Sequence, residues 1–274
     1  MVLTSLKNPW VKTLRKLHQV KYRRRQQQFL LEGTHLIQEA IAAQYPLQAV
    51  CATVAWQAQH AGLWQQLIAC TDRQETVSPE VLAAIATTQT PDGVVAIAIT
   101  QPPSTVPAVP HLGLALENIQ DPGNVGTLMR TAAAAGSDGI WLSQHSVDLT
   151  HPKVLRASAG QWFRVATQII PELSTQVWTW RDQGCQVLAT ASVAAQPYWE
   201  LDLTRSTVLL LGNEGAGLSE SAIAAADQTV MIPMMNGVES LNVGVAAAIL
   251  LFEAQRQRQR HSFKALDEGD LRLT

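Results

Sequence analysis

NIQDPGNVGTLMRT, residues 118–131, joins the end of a predicted strand to the start of a predicted helix through a Pro-Gly turn. The apolar run Gly113–Ile119 is the predicted strand, and the helix is predicted over Val125–Ala135. In open α/β sheets, ligands bind beyond the carboxyl ends of the strands. This turn is therefore a candidate ligand loop, although Asp121 and Asn124 would also serve as ordinary helix-capping residues.

Two later segments repeat this order of strand, loop and helix. In LGNEGAGL, residues 211–218, an apolar strand leads into a loop with three glycines, which let a backbone approach a ligand closely. In IPMMNGVESLNVGVA, residues 232–246, the loop leads into a helix that is apolar on nearly all sides, which is typical of a buried or interface helix. Each segment alone fits an ordinary turn, but three polar or glycine-rich loops at three strand ends indicate one shared site.

Outward from these segments, predicted helices and strands alternate along the chain, which indicates the α/β class. QPPSTVPAVP, residues 101–110, holds four prolines and is predicted to be a semi-rigid linker. It separates a domain at residues 1–100 from a second domain at residues 111–260, and the polar residues 261–274 are predicted to be a loose tail. Continuous apolar strands such as Val208–Leu211 favour a parallel sheet with both faces covered in the second domain.

The composition of the 274-residue chain excludes several protein classes. Hydrophobic residues make up 47% and charged residues 15%, a globular balance that excludes disordered, collagenous and coiled-coil proteins. The longest apolar stretch, Leu241–Phe252, is too short to span a bilayer, and the first ten residues have no signal-peptide core. The three cysteines are scattered without a CxxC pair, so neither a zinc ribbon nor a disulfide framework is expected. We expect a reduced cytoplasmic protein with no membrane partner and no metal.

Common cofactor motifs are missing from the sequence. It contains no P-loop, HExxH or GxSxG pattern, which argues against P-loop NTPases, zinc enzymes of the HExxH type and α/β-hydrolases. The glycines at 212, 215 and 217 have the spacing GxxGxG rather than GxGxxG. That spacing argues against a nucleotide-dependent oxidoreductase of the Rossmann type.

Charge is distributed unevenly along the chain. Residues 1–31 carry eight Lys and Arg and no Asp or Glu, whereas the remainder carries 12 basic and 22 acidic residues. A basic arm on an acidic body is typical of a protein with a polyanionic partner. The run KYRRR at residues 21–25 favours nucleic acid over a merely solvated helix face, but charge alone does not distinguish RNA from DNA.

The three loop segments, in this order, resemble the SpoU family of RNA ribose 2′-O-methyltransferases within the SPOUT superfamily. The segment PKVLRASAG, residues 152–160, also fits that family, and the stretch from Arg23 to Gly33 resembles the substrate-binding domain often fused ahead of the methyltransferase. The resemblance implies an N-terminal ribosomal-protein-like α/β RNA-binding domain and a C-terminal SPOUT α/β domain with a trefoil knot. It also implies S-adenosylmethionine as the cofactor, and a homodimer whose interface includes the helix at Val243–Phe252.

The resemblance also implies functions for individual residues. Arg130 is implied to be catalytic, and because a guanidinium is a poor base we expect it to bind the phosphate beside the reacting ribose. That phosphate, or a deprotonated arginine, would then assist removal of the hydroxyl proton. The residues implied to be catalytic are Arg130, Asn124, Glu214, Ser240 and Asn242. Those implied to bind the cofactor are Leu211, Gly212, Asn213, Gly215, Ile232, Pro233, Leu241 and Asn242. The basic residues expected to contact RNA are Arg15, Lys21, Arg23, Arg24, Arg25, Lys153 and Arg156.

The expected activity is transfer of a methyl group from S-adenosylmethionine to a ribose 2′-hydroxyl in structured RNA. Ribosomal RNA is preferred over tRNA because a ribosomal-protein-like front domain suits ribosomal RNA, which is an argument by analogy. The alternatives are a tRNA 2′-O-methyltransferase and a non-catalytic RNA-binding protein of ribosome assembly with a vestigial pocket. The joint presence of Arg130, Glu214, Ser240 and Asn242 argues against the vestigial pocket, since a dead site need not keep all four.

Overall fold

A computed structural model describes residues 2–102, 104–192, 194 and 196–270 of the chain, with backbone alone for residues 260–270. The chain divides into two compact units. The first unit is Met1–Pro102 together with Asp148–Arg164, and the second unit is Pro103–Val147 together with Val165–Thr274. No helix of the described residues is long and apolar enough to cross a membrane.

Helices and strands alternate along the chain, as the sequence predicts for the α/β class. The helices are α1 (Pro9–Lys16), α2 (Val20–Gln26), α3 (Thr34–Ala42), α4 (Val54–Gln59), α5 (Ala61–Cys70), α6 (Pro79–Ile85), α7 (Pro122–Ala134), α8 (Pro152–Ala157), α9 (Leu173–Asp182), α10 (Glu220–Ala225) and α11 (Val243–Asp270). The strands are β1 (Gln28–Glu32), β2 (Leu47–Ala52), β3 (Arg73–Thr76), β4 (Val94–Ile99), β5 (Leu112–Leu116), β6 (Gly139–Ser143), β7 (Thr167–Ile170), β8 (Gln186–Thr190), β9 (Gln196–Pro197), β10 (Thr207–Leu211) and β11 (Gln228–Met231).

The first unit is built on a mixed sheet in the order β1-β4-β2-β3. Strand β4 pairs antiparallel with both β1 and β2, and β2 pairs parallel with β3. Successive residues of β1 point to opposite faces, so Phe29 and Leu31 pack in one apolar cluster and Leu30 packs in another. The sheet is therefore covered on both faces.

Residues 148–164 belong to the first unit, although the sequence places them inside the predicted domain 111–260. Leu155 is fully buried in the core of the first unit, and the ring of Trp162 lies 5.2 Å from Phe29 and 5.5 Å from Tyr45 between centroids. The division by packing therefore differs from the predicted boundaries in this segment, because its apolar side chains find their partners in the N-terminal sheet.

The second unit contains a sheet in the order β7-β6-β5-β10-β8-β11-β9, and every neighbouring pair is parallel. This arrangement confirms the prediction of a parallel sheet. Strands β5 and β10 lie side by side in the middle, with Leu116 opposite Leu211 in register. The loops that follow these two strands therefore leave the sheet next to each other at its carboxyl edge.

The proline-rich segment and the C-terminal tail are partly structured. Val106 packs against the apolar core of the second unit, and Pro110 is buried beside Gly113, so the later part of the predicted linker is fixed to that unit. Pro103 lies outside the described residues. The prediction of a loose tail is wrong over residues 261–270, because helix α11 continues to Asp270. Residues 271–274 of the predicted tail lie outside the described residues.

Candidate functional site

Three loops meet at the carboxyl edge of the parallel sheet, following β5, β10 and β11. The loops after β10 and β11 border a cavity of about 500 Å³, whose wall also includes the end of β8 and one face of α11. The predicted cofactor-binding residues that line it are Leu211, Gly212, Asn213, Gly215, Ile232, Leu241 and Asn242. Pro233 lies in the third loop outside the cavity wall. Of the residues predicted to be catalytic, Glu214, Ser240 and Asn242 line the cavity, while Asn124 and Arg130 lie on α7.

The loop of residues 212–218 is folded back on itself. Asn213 and Gly217 exchange two backbone hydrogen bonds of 3.0 and 2.9 Å. A Cβ atom at Gly212 would lie 2.1 Å from the carbonyl carbon of Gly217 and 2.2 Å from the amide nitrogen of Leu218. Glycine is required at position 212 because the two limbs of the loop cross there.

The side chain of Asn213 stabilises this loop. Its Oδ1 accepts hydrogen bonds from the backbone N–H groups of Gly215 and Ala216, both at 2.9 Å. Its Nδ2 donates to the carbonyl oxygen of Asn118 at 2.8 Å, which ties the second loop to the first. Asn118 itself has a left-handed backbone with φ of +54°, a conformation that asparagine tolerates.

Glu214 connects the second loop to the start of α7. Its Oε1 accepts a hydrogen bond from Asn124 Nδ2 at 2.9 Å and from the backbone N–H of Asp121 at 3.1 Å. Its Oε2 accepts from the backbone N–H of Gln120 at 3.2 Å. Burial alone would raise the pKa of this carboxyl, but the hydrogen bonds it accepts lower the pKa below its usual value overall. Glu214 is therefore ionised at neutral pH.

Asn242 extends the same network into the third loop. Its Nδ2 donates to Asn124 Oδ1 at 3.0 Å, and its Oδ1 accepts from the backbone N–H of Gly244 at 2.9 Å. A continuous chain of hydrogen bonds thus runs from Glu214 through Asn124 to Asn242 and links all three loops. Ser240 is exposed two residues earlier in the same loop.

Arg130 lies on α7 with its side chain exposed to solvent. Within the described part of the chain, its guanidinium has no hydrogen-bond or ion-pair partner. The carboxylate of Glu214 is not paired with Arg130, since it binds Asn124 and two backbone N–H groups. The planar guanidinium remains available to an anionic ligand.

Sequence reasoning missed Glu117, which directly follows β5. Its side chain is only 8% exposed, and both of its carboxylate oxygens accept hydrogen bonds from Ser219. A signal was present, because a carboxylate at the end of the apolar run LGLAL must be hydrogen-bonded if it is buried.

All of the predicted RNA-contacting residues except Arg23 have exposed side chains. Arg15, Lys21, Arg24 and Arg25 are exposed on the first unit, and Lys153 and Arg156 are also exposed, although Arg156 pairs with the buried Glu32 at 2.9 Å.

The prediction for Arg23 is wrong. Its side chain is 3% exposed and donates to Asp148 at 2.5 Å and to the carbonyl oxygens of Leu17 and His18, both at 3.0 Å. Helix α2 turns this arginine inward while its neighbours Arg24 and Arg25 stay in solvent.

Comparison with known proteins gives matches to both units. A model of the SpoU rRNA Methylase family matches residues 111–252, and a model of the MRM3-like substrate binding domain matches residues 8–96. The chain is 45% identical over 258 residues to a protein of Synechocystis described as an uncharacterized tRNA/rRNA methyltransferase, covering 93% of this chain and 94% of that one.

Relatives with named substrates differ in how much of the chain they match. The 23S rRNA (guanosine(2553)-2′-O)-methyltransferase of Bacillus subtilis is 32% identical over 250 residues, covering 91% of this chain and 97% of that protein. The tRNA (guanosine(18)-2′-O)-methyltransferase of Escherichia coli is 38% identical over 151 residues, covering 55% of this chain and 65% of that protein.

A solved structure agrees over nearly the whole chain. The S-adenosylmethionine-bound rRNA methyltransferase of Sinorhizobium meliloti superposes with a TM-score of 0.82 at 31% identity, covering 93% of this chain and 97% of that chain.

Proposed function

Since the chain belongs to the SpoU rRNA methylase family and is an S-adenosylmethionine-dependent RNA 2′-O-ribose methyltransferase, we propose that its substrate is ribosomal RNA. The observation that carries this choice is the extent of the match. The Bacillus subtilis relative, named as a 23S rRNA enzyme, matches both units, whereas the Escherichia coli tRNA enzyme matches little more than half of the chain. A tRNA substrate is the alternative that the experiment below distinguishes.

The cavity at the carboxyl edge fits S-adenosylmethionine. Its volume of about 500 Å³ lies within the range of pockets for small ligands. Leu211, Ile232 and Leu241 give it apolar walls suited to an adenine ring, and the backbone of the 212–218 loop supplies polar groups along one side. When bound, S-adenosylmethionine supplies a methyl group already activated by the positive sulfur. We assign its binding to Leu211, Gly212, Gly215, Ile232, Leu241 and Asn242, with Pro233 and Asn213 shaping the loops around it.

The residues of α7 and its partner loops would prepare the ribose hydroxyl. A 2′-hydroxyl is a weak acid, so it must be aligned and its proton must be removed. We assign to Arg130 the binding of the phosphate beside the target ribose, because its guanidinium is exposed and has no partner among the described residues. Asn124 is held from both sides by Glu214 and Asn242, so it is fixed in orientation at the start of α7. Ser240, exposed in the third loop, is assigned to hydrogen bonding near the reacting hydroxyl.

We propose that the first unit binds the RNA. Lys12, Arg15 and Lys16 border a shallow groove on α1, and Lys21, Arg24 and Arg25 continue the positive charge along α2. Exposed cations of this density bind phosphates and release counterions, which gives affinity without sequence preference. Lys153 is a further candidate contact of the same unit.

We also propose that the protein is a homodimer whose interface includes α11. Val245 is 49% exposed and Phe252 is 46% exposed, seven residues apart and therefore on one face of the helix. Met235 and Val238 in the third loop are also exposed apolar residues. The family resemblance further supports a trefoil knot in the C-terminal region of the second unit, and a ribosomal RNA substrate supports a cytoplasmic location.

The test is incubation of the purified protein with radiolabelled S-adenosylmethionine and, separately, ribosomal RNA and tRNA from cells that lack the enzyme. We expect label in ribosomal RNA that survives alkaline hydrolysis as a ribose-methylated dinucleotide. Label confined to tRNA would replace the proposed substrate, and no label in either RNA despite cofactor binding would refute a mature RNA substrate of either class.

A further inference from the structure

Glu117 lies at the end of β5, on the strand next to the one that enters the glycine-rich loop of residues 212–218. Its backbone N–H donates to the carbonyl oxygen of Leu211 at 2.9 Å. Its Oε2 accepts from the backbone N–H of Ser219 at 2.7 Å, and its Oε1 accepts from the hydroxyl of the same serine at 2.8 Å. Glu117 therefore contacts the chain at both ends of the loop, before it begins and after it returns.

We propose that Glu117 is a positioning residue that holds the glycine-rich loop closed for cofactor binding. Ser219 offers two donors to one side chain, and only a carboxylate has two acceptor oxygens to receive them both. The contact is shielded from water because Glu117 is 8% exposed. Ser219 is also the N-cap of α10, since its hydroxyl accepts from the backbone N–H of Ala222 at 3.2 Å. Glu117 thereby fixes the point at which the loop ends and the helix starts.

The consequence extends to the cavity because the same loop forms part of its wall. Within the loop, Glu214 must reach Asn124 at 2.9 Å, and the loop backbone must stay folded across Gly212. A loop released at Ser219 would need to be ordered again whenever the cofactor binds, which lowers affinity. This inference rests on the proposed function insofar as the cavity binds S-adenosylmethionine.

The discriminating variant is Glu117→Gln. Glutamine keeps the size and one acceptor oxygen but turns an NH₂ donor toward a Ser219 donor. We expect the Kd of S-adenosylhomocysteine, measured by calorimetry on the full chain, to rise about tenfold. Hydrogen exchange of the peptide covering residues 212–219 should become faster in the free protein, a readout that needs neither cofactor nor activity.

Asp227→Asn is the matched control. Asp227 accepts a backbone N–H from Val187 and a side-chain N–H from Arg181, both at 2.7 Å, at the amino edge of the same sheet. The Asp227→Asn variant should have a lower melting temperature, while its Kd for S-adenosylhomocysteine and the hydrogen exchange of residues 212–219 should be unchanged. Equal effects of the two variants on the Kd would mean general destabilisation and would overturn the proposal.

A double-mutant cycle with Ser219→Ala tests the route of the effect. If Glu117 acts through Ser219, the Kd of the double variant should lie close to that of Glu117→Gln alone. Effects that multiply in the double variant, or an unchanged Kd and loop exchange in Glu117→Gln, would overturn the inference while leaving the proposed function intact. Failure of the unaltered protein to bind S-adenosylhomocysteine would instead overturn the proposed cofactor site, and this inference with it.

Discussion

Helix α7 exposes the guanidinium of Arg130, which no described residue binds, on the same helix as the fully engaged Asn124. The contrast separates a side chain held by the protein from one available to a ligand. A guanidinium presents a planar fork that binds two phosphate oxygens at once, whereas an ammonium is a single point of charge. The proposed function of Arg130 therefore depends on shape as well as on charge.

Arg130→Lys should lower kcat about 10- to 100-fold at saturating RNA and cofactor, because losing one charge-assisted hydrogen bond costs roughly 1.5–3 kcal/mol. Single-turnover kinetics with labelled S-adenosylmethionine measure the effect. Arg181→Lys is the control, since that arginine binds Asp227 at the other edge of the sheet and should keep full activity. Near-normal turnover of Arg130→Lys would contradict a two-point phosphate contact.

Gly212 and Gly215 of the second loop differ in the space that they leave for a side chain. A Cβ atom at Gly212 would overlap the backbone of residues 217 and 218, whereas a Cβ atom at Gly215 would meet Asn213 Oδ1 at an ordinary 3.7 Å. We expect Gly212→Ala to lower the free energy of unfolding by about 3 kcal/mol, and Gly215→Ala to change it by less than about 1 kcal/mol. Urea unfolding of both variants checks this, and equal losses would count against the crossing of the loop limbs at Gly212.

Strands β6 and β1 differ in how well the sequence predicts them. The apolar run after Gly139 predicts a strand over Gly139–Ser143, and the structure has β6 at these residues. The sequence pattern of Leu30–Ala43 predicts one helix, and this prediction is wrong, because the structure has β1 up to Glu32 and begins α3 at Thr34. Residues 29–31 pair with β4, far along the chain, and Gly33 interrupts the helix with φ of +99°. A run of three apolar residues is too short to distinguish a strand from the first turn of a helix by its local pattern.

In the candidate site, the positions of the loops could be predicted from the sequence, but the hydrogen-bond partners of their side chains could not. Loop positions could be predicted, because strand ends and glycine-rich turns are local features of the three segments. The hydrogen-bond partners could not, because the side chain of Asn213 is used within the protein and Glu117 finds its partner 102 residues away.

Two adjacent arginines of helix α2 are expected to have different functions, one in stability and one in RNA binding. Arg23 is buried against Asp148, and Arg24 is exposed on the same helix. Removing one partner of a buried ion pair costs about 3–5 kcal/mol, so Arg23→Ala should lower the melting temperature strongly. Arg24→Ala should leave the melting temperature unchanged and weaken RNA binding, with the salt dependence of log Kd reduced by about one phosphate contact. RNA binding lost equally in a folded Arg23→Ala protein would contradict this assignment.

In the whole chain, each unit contains residues that are not contiguous in sequence. Asp148 pairs with the buried Arg23, 125 residues earlier, and Arg156 pairs with Glu32 at a similar sequence distance. The composition of the sequence predicts one domain boundary, at the proline-rich segment. It does not indicate that residues 148–164 pack in the first unit. The match to the Bacillus subtilis rRNA enzyme extends over both units, so the substrate-binding and methyltransferase parts are retained together in that relative.

The proposed dimer depends on a stripe of α11 that the single chain leaves in solvent. Ala247, Leu251 and Ala254 of this helix are fully buried within the second unit, whereas Val245 and Phe252 are about half exposed on another face. Burying such a stripe against a second copy removes apolar surface from water, and a glutamate there would be desolvated without a partner. We therefore expect Val245→Glu and Phe252→Glu to sediment as monomers of 29.8 kDa under conditions where the unaltered protein sediments at twice that mass. Val54→Glu is the matched control, because Val54 is 59% exposed in the first unit and its change should leave the dimer intact. A monomeric unaltered protein with full methyltransferase activity would show that the second copy is not needed.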